Sequence, residues 1–210
     1  MPKDGTATRD KILDSAQELI FKHGFTATTL DLVLKDAKLT KGAFFHHFSS
    51  KDDLALALIE RYLANEKGML AKLIEGAETV TRDPYQQILI IIGFIIQAIE
   101  DETPLSHGCL FASYAFEMSG FDARTKELAR EGFTVWRKVI GAKMAEMMEK
   151  HPPRIPTDPY DLADTMLAAF EGGVVIARME NDPQVIARKM AEFRKYVELL
   201  FDVEKMAKAS

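Results

Sequence analysis

The stretch TKGAFFHHFSSKDDL, residues 40–54, concentrates side chains that could bind an ion or a negatively charged partner. It carries two adjacent histidines, His46 and His47, between phenylalanines, and a lysine near each end. Imidazole is a common ligand for metals, and an ammonium group can pair with phosphate. Aromatic residues at this density could equally belong to a core. A metal site, a core patch and a surface for nucleic acid are therefore the three interpretations.

The spacing of the histidines argues against a metal site. Neighbouring residues on a helix point about 100° apart, so His46 and His47 cannot easily share one ion. No third ligand stands at a suitable spacing. A helical di-iron enzyme would need repeated Glu-x-x-His pairs, and neither these nor a glycine-rich phosphate loop occurs. We predict no metal, no cofactor and no enzymatic activity.

Charge and composition limit the class of protein. The formal net charge of −5 gives no global sign of a nucleic-acid partner, but residues 35–51 hold four lysines and one acid, Asp36. That local excess could neutralise phosphates. Residues 88–99 are apolar but too few to span a membrane, so we predict a buried helix there. The single cysteine, Cys109, excludes an internal disulfide and fits a reducing compartment, and we predict a soluble cytoplasmic protein without a membrane contact.

Helical periodicity dominates the chain, and we predict an all-α fold of about nine helices. Capping residues, glycines and prolines set the expected ends of these helices. Residues 75–82 are predicted to form a linker, and residues 101–107 a loop. The predicted helices span residues 12–24, 28–36, 40–47, 49–73, 84–99, 109–118, 122–150, 159–179 and 183–202.

Two of these helices match a helix-turn-helix unit. They are short, are separated by a turn at residues 37–39 and follow a longer helix that can support them. The inner faces of such a unit must be apolar. The second helix must begin with small and polar residues if it is to enter the major groove, as Thr40, Lys41, Gly42 and Ala43 allow. The predicted inner residues are Leu30, Val33, Ala37, Leu39, Phe44 and Phe48.

Residues 24–54, GFTATTLDLVLKDAKLTKGAFFHHFSSKDDL, resemble the DNA-binding domain of the TetR/AcrR family of bacterial transcriptional regulators. Two positions depart from the family pattern. Lys38 stands where the family usually has glycine, and a left-handed backbone there would cost about 1 kcal/mol. Phe45 replaces a tyrosine, which leaves apolar contact with a thymine methyl. The matching residues are Gly24, Phe25, Thr28, Thr29, Ala37, Gly42, Phe44, His47, Phe48, Ser50, Lys51, Asp52 and Leu54.

The resemblance implies a role in DNA binding for nine residues. Lys41 is the strongest candidate for a specific contact, because lysine can donate to O6 and N7 of guanine. Lys51 would contact phosphate with help from the N-terminus of its helix. The residues implied to face bases are Lys41, Gly42 and Ala43, with Phe45 as a further candidate. Those implied to contact phosphates are Thr29, Thr40, His46, His47 and Lys51.

The resemblance also implies two functional parts. Residues 1–54 would bind DNA, with a connecting helix that continues to about residue 73, and residues 55–210 would bind a ligand and dimerise. The implied protein is a repressor that a small-molecule inducer releases from its operator. Aromatic and methionine residues at helical spacing could line the inducer pocket, although they are equally common in a core. The candidate ligand-binding residues are Cys109, Tyr114, Glu117, Met118, Phe133, Trp136, Met166 and Phe170.

Cys109 has a subsidiary interpretation. The triplet GCL, residues 108–110, resembles one in a branch of the family that includes regulators responding to electrophiles. A helix N-terminus favours the reactive thiolate form of cysteine. The same triplet occurs in members where the cysteine only packs, so sensing and packing remain alternatives.

The last two helices are predicted to form a homodimer interface. A two-fold dimer doubles the contacts with DNA, because each subunit binds one half-site. The alternative is that the apolar stripes of these helices pack on the core of their own protomer. The stripes comprise Leu162, Met166, Ala169, Phe170, Gly173 and Ala177 on one helix, and Ile186, Met190, Phe193, Val197 and Leu200 on the other.

Overall fold

A computed structural model describes residues 5–101 and 107–201. Within these two ranges the chain forms nine α-helices, with a 3-10 turn after the sixth and no strand, which confirms the predicted all-α fold. Residue 202 and most of the predicted loop at 101–107 lie outside the described residues. The elements are α1 (Gly5–His23), α2 (Leu30–Ala37), α3 (Lys41–Phe45), α4 (Lys51–Val80), α5 (Pro84–Glu100), α6 (Leu110–Phe116), the 3-10 turn (Met118–Gly120), α7 (Ala123–Lys150), α8 (Pro159–Glu180) and α9 (Gln184–Phe201).

Threonine side chains begin both short helices, as their sequence positions predict. The Thr29 hydroxyl accepts a hydrogen bond from the Leu32 amide at 3.3 Å, and the Thr40 hydroxyl accepts one from the Ala43 amide at 3.2 Å. Each bond satisfies an amide that lacks a partner within the first turn of its helix. The start of α3 is therefore fixed at Lys41 by the residue before it.

The turn between α2 and α3 places a lysine in the left-handed region. Lys38 has φ 53° and ψ 47°. Its amide donates to Lys35 O at 3.2 Å, and the Leu39 amide donates to Leu34 O at 2.9 Å. This pair of bonds is the Schellman ending of a helix, which usually employs glycine at the left-handed position. The strained backbone expected at Lys38 is therefore present.

The predicted linker at residues 75–82 is wrong for most of its length, because α4 continues to Val80. Leu70 and Ala77 are fully buried and Ile74 is half-buried, so the apolar stripe of α4 runs on at spacings of four and three. Packing of that stripe extends the helix through residues whose polarity suggested a loop. The turn is confined to residues 81–83, and Pro84 begins α5.

The helices form two compact units that do not follow chain order. The first comprises Met1–Glu66 and Cys109–Phe133, and the second comprises Lys67–Gly108 and Thr134–Ser210. Helices α4 and α7 therefore each contribute residues to both units. The functional division at residue 54 is a separate matter and stays a prediction.

The first unit has an aromatic core that joins α6 to the residues after α1. The ring of Phe25 lies 4.6 Å from that of Phe121 and 5.8 Å from that of Tyr114. The Tyr114 hydroxyl donates to Ala55 O at 3.1 Å. Burial raises the pKa of Tyr114, so this hydroxyl keeps its proton and remains a donor. Tyr114 is thus a core residue with its polar atom satisfied.

The core of the second unit includes the apolar helix α5. Ile88, Ile92 and Ile99 are at most 1 % exposed, which confirms the predicted buried helix. None of the helices within the described ranges combines the length and the apolarity that crossing a bilayer requires.

One charge is buried beside this core. The Lys143 ammonium lies 2.6 Å from a carboxylate oxygen of Glu78, 2.9 Å from one of Glu146 and 3.3 Å from the amide oxygen of Gln87. Burial alone would lower the pKa of Lys143, but the two carboxylates outweigh it and raise that pKa. The ammonium is therefore charged and paired, as a buried cation must be.

The prediction of the dimer-interface residues is wrong for all of them except Ala169 and Phe170. Most of them are buried within the second unit, because α8 and α9 pack on each other and on the core with those stripes inward. Ala169 and Phe170 are partly buried against the same core. The large apolar side chains that α8 and α9 expose are different ones, namely Tyr160, Val175, Ile176, Met179, Tyr196 and Leu199.

Candidate nucleic-acid interface

Two buried phenylalanines orient α3. Phe44 is fully buried and Phe48 is 2 % exposed, with their ring centroids 5.5 Å apart. Because α3 turns this face inward, it leaves Lys41, Gly42 and Phe45 on its exposed side, and Phe45 is 56 % exposed. The helix therefore presents a short surface of one cation, one small residue and one apolar ring.

The two histidines follow α3 without forming a metal site. The amides of His46 and His47 donate to Gly42 O at 3.1 Å and to Phe44 O at 2.8 Å. Their rings meet edge to face at 4.9 Å, with His46 exposed and His47 half-buried. Across residues 5–101 and 107–201, no three histidine, cysteine or acidic side chains come together as metal ligands would.

Lys41 makes an ion pair that links α3 to α2. Its ammonium lies 3.2 Å from a carboxylate oxygen of Asp31, and the two side chains are 67 % and 76 % exposed. A pair this exposed is worth about 0–1 kcal/mol, whereas a good contact with a base edge is worth about 1–3 kcal/mol. Lys41 can therefore leave Asp31 and contact a base at little cost in free energy. Sequence reasoning missed Asp31, because an acid in the first turn of a helix is already explained by the helix dipole.

Lys51 is engaged with the loop between α1 and α2. Its ammonium donates to Phe25 O at 2.6 Å and to Thr26 O at 3.4 Å, and it lies 4.2 Å from the centroid of the Phe25 ring. Burial lowers the pKa of Lys51, against the attraction of the Glu117 carboxylate. An ammonium has three donors. Two are directed at carbonyls, so one is left for a phosphate.

Glu117 binds the same loop from its other side. Its carboxylate accepts hydrogen bonds from the Phe25 and Thr26 amides, both at 2.7 Å, and from the Thr26 hydroxyl. Burial alone would raise the pKa of Glu117, but these bonds outweigh it and lower that pKa. A Cβ at Gly24, whose φ is +82°, would lie 2.8 Å from a Glu117 oxygen. The left-handed backbone therefore favours glycine there, and a Cβ would also displace the Glu117 carboxylate from its hydrogen bonds.

All nine residues predicted to bind DNA lie in the first unit, and none is fully buried. Ala43, His47 and Lys51 are half-buried, and the other six are exposed. Sequence reasoning missed Arg9 on α1, whose guanidinium lies 5.3 Å from the centroid of the Phe48 ring. Arg9 and Phe48 are far apart in the sequence, so their contact could not be inferred from it.

The predicted ligand-binding residues divide between the two units. Glu117 accepts hydrogen bonds from main-chain donors and Tyr114 donates to a main-chain acceptor, so both have structural partners, and their ligand role stays a prediction. Trp136 and Met166 belong to the core of the second unit, with Phe170 packed against it. The residues in the first unit are Cys109, Tyr114, Glu117, Met118 and Phe133, and those in the second are Trp136, Met166 and Phe170.

Both parts of the chain match models of known protein families. Residues 12–58 match the family described as "Bacterial regulatory proteins, tetR family", and residues 84–193 match the "Tetracyclin repressor-like, C-terminal domain". The chain is 23% identical over 190 residues to the HTH-type transcriptional repressor NemR of Escherichia coli strain K12, covering 90% of this chain and 94% of that protein.

Solved structures share the fold. A TetR-family transcriptional regulator from Agrobacterium tumefaciens aligns with a TM-score of 0.78 at 21% identity, over 92% of this chain and 98% of that one. The reduced form of Escherichia coli NemR aligns with a TM-score of 0.70 at 22% identity, over 90% and 96%. The chain therefore shares the fold of these proteins.

Proposed function

Because the chain belongs to the tetR family of bacterial regulatory proteins, we propose that it is a repressor that binds operator DNA through α3 and answers to a small molecule. The family's members compared above are transcriptional regulators. The observation that carries the DNA-binding part is the exposed surface of Lys41, Gly42 and Phe45 on a helix that Phe44 and Phe48 hold in place. Such a helix can present side chains to base edges in the major groove.

The contact roles follow from position and chemistry. Lys41 would donate to guanine, Gly42 and Ala43 would allow close approach, and Phe45 would contact a thymine methyl. Around them, polar and cationic side chains at the starts of α2, α3 and α4, together with the two histidines that follow α3, would fix the register on phosphates. The proposed phosphate contacts are Thr29, Thr40, His46, His47 and Lys51.

The test of this proposal begins with genomic footprint sequencing by the purified protein, which yields the operator. Lys51→Ala should then weaken binding to every duplex and flatten its salt dependence. Since Lys51 also binds the loop at residues 25–26, Glu117→Ala serves as a control, because it disturbs the loop and leaves the cation. A salt slope that changes in Lys51→Ala but not in Glu117→Ala supports the phosphate contact. Equal slopes in both would overturn it.

We propose a homodimer that forms through α8 and α9. The support is the set of large apolar side chains that these helices expose, because a monomer gains nothing from such a surface. Met179 is 84% exposed and Leu199 is 69% exposed. Gly172 is also exposed, and a Cβ there would meet nothing within 4 Å, so a partner helix could approach closely. Two half-sites on DNA would then match two subunits.

The proposed inducer acts by shifting a population between two states. DNA would favour the spacing of recognition helices found without inducer, and inducer would favour another. Helix α4 is the proposed connection, because it contributes residues to both units. Coupling of this kind is reciprocal, so operator DNA must weaken inducer binding by the same factor. Titrating inducer with and without operator checks this, and equal inducer affinities would contradict it.

A sensing role for Cys109 is the subsidiary proposal. The half-buried thiol precedes α6, and its sulfur accepts a hydrogen bond from the Ala112 amide at 3.5 Å. The similarity to NemR, whose structure is described as a reduced form, is in keeping with it. Titration with a mild alkylating agent should weaken operator binding in step with thiol loss. Unchanged binding after full modification would leave Cys109 as a packing residue. We place this regulator in the cytoplasm, where bacterial DNA lies.

A further inference from the structure

Asp31 is an acid on a surface that must meet DNA. It lies in the first turn of α2, with a carboxylate oxygen 3.2 Å from the Lys41 ammonium. Both side chains are mostly exposed, so the pair faces solvent. For binding driven by phosphate neutralisation alone, a carboxylate at this place is unfavourable, because it cancels a cation and repels the DNA backbone.

We propose that Asp31 is a positioning residue that reserves the Lys41 ammonium for bases and withholds it from phosphates. The inference rests on the proposed function, since it needs α3 to approach DNA. It goes further because it assigns part of the sequence specificity of DNA binding to a pair of residues, Asp31 on α2 and Lys41 on α3.

The physical basis is the charge of the acceptor. Toward a phosphate, the paired Asp31 and Lys41 together present no net charge, so this lysine releases no counterion and gains little. O6 and N7 of guanine are neutral acceptors, and a carboxylate nearby does not repel them as it repels an anion. The ammonium has three donors, so it can keep Asp31 and still donate to guanine. The Asp31 carboxylate therefore weakens a Lys41–phosphate contact more than a Lys41–guanine contact.

A purely structural role for Asp31 predicts the opposite effect. A negative charge in the first turn of α2 is favourable with the helix dipole. If that were its whole contribution, removing the charge would loosen α2 and weaken binding to every duplex. The positioning role predicts that removing the charge strengthens binding to DNA of arbitrary sequence.

The experiment compares two fluorescein-labelled duplexes, the footprinted operator and a duplex of the same length and composition with its base order scrambled. Asp31→Asn should bind the scrambled duplex about two- to fivefold more tightly than the unsubstituted protein does. Its salt slope on that duplex should steepen by about 0.9, because Lys41 now neutralises one more phosphate. Operator affinity should change less, so the specificity ratio falls.

Two controls separate this effect from a general change of charge. Glu60→Gln removes the same charge from an exposed position on α4, and among the described residues Glu60 makes no ion pair with Lys41. It should leave the specificity ratio unchanged. In a Lys41→Ala background, Asp31→Asn should give no gain on scrambled DNA, since the effect passes through Lys41.

The outcomes are distinguishable. A gain that persists without Lys41, or one that Glu60→Gln reproduces, overturns the positioning role and leaves DNA binding intact. An Asp31→Asn variant that loses affinity for both duplexes also overturns it. If the unsubstituted protein binds neither duplex, the proposed function itself fails, and this inference fails with it.

Discussion

Glu117 and Thr26 are joined by two hydrogen bonds although 91 positions separate them in the chain, one from the Thr26 amide at 2.7 Å and one from its hydroxyl. With the Phe25 amide, they direct three donors at one carboxylate. On the other side of the loop, Lys51 holds the carbonyls of the same two residues. The loop that leads into α2 is thus fixed by one anion and one cation. The helix-turn-helix therefore depends for part of its stability on the residue that follows α6.

Glu117→Ala should lower the free energy of unfolding by about 1.5–3 kcal/mol. The change leaves the Phe25 and Thr26 amides without their charged acceptor, and hydrogen bonds to charged groups contribute about this much. Urea denaturation measures it. Glu127→Ala is the matched control, because Glu127 pairs only at the surface with Arg124. If both variants lose the same free energy of unfolding, the hydrogen bonds of Glu117 contribute no more to stability than a surface ion pair does.

The contribution of Glu117 should disappear in acid. The pKa of Glu117 is lower in the folded chain than its ordinary value of about 4.3. Its ionised form therefore stabilises the fold above the ordinary pKa, and that stability is lost as the pH falls through the folded pKa. The difference in free energy of unfolding between the unsubstituted protein and Glu117→Gln should be constant near neutrality and shrink below about pH 4. A difference that grows in acid would contradict this sign.

Lys38→Gly should stabilise the protein by about 0.5–1 kcal/mol. The left-handed backbone at Lys38 is strained for a residue with a Cβ, whereas glycine adopts it freely. The free energy gained by removing this strain exceeds the cost of the extra entropy of glycine in the unfolded chain. Lys38→Ala removes the same charge but keeps Cβ, so it should give no gain. Urea denaturation of both variants decides, and a glycine variant no more stable than the alanine variant would contradict the strain.

Leu199→Glu should convert the proposed dimer to monomer at micromolar concentration. A carboxylate placed within an apolar interface would be desolvated without a partner. Sedimentation analysis measures the mass in solution. Ile155→Glu is the control, because Ile155 is also exposed but lies between α7 and α8. A Leu199→Glu variant that keeps the same mass as the unsubstituted protein would move the interface away from this face of α9.

Local signals predicted the helix-turn-helix well. Thr29 and Thr40 cap helices because their side chains reach amides three residues on, which is a matter of nearest neighbours. Burial of Phe44 and Phe48 follows from spacing along α3 and the residues after it. Even the strain at Lys38 could be expected, because the turn between two closely joined helices requires a left-handed residue.

The rest depends on contacts between distant segments. Nothing near Glu117 in the sequence indicates that it binds residues 25–26, and an acid in an apolar stretch fits a ligand site equally well. Asp31 could be placed on α2 but not beside Lys41. On α8 and α9 the periodicity identified one apolar face, and that face is buried in the core. Met179 and Leu199 lie on the exposed face. Periodicity cannot say which of two faces meets a partner.

The central claim is that Lys41 reads bases, and single-base variants of the footprinted operator test it most directly. The unsubstituted protein should lose about 1–3 kcal/mol of binding free energy when one G·C pair is replaced. Lys41→Ala should lose that discrimination at the same pair while it keeps the discrimination at every other position. A Lys41→Ala variant that still distinguishes all positions as the unsubstituted protein does would contradict the claim.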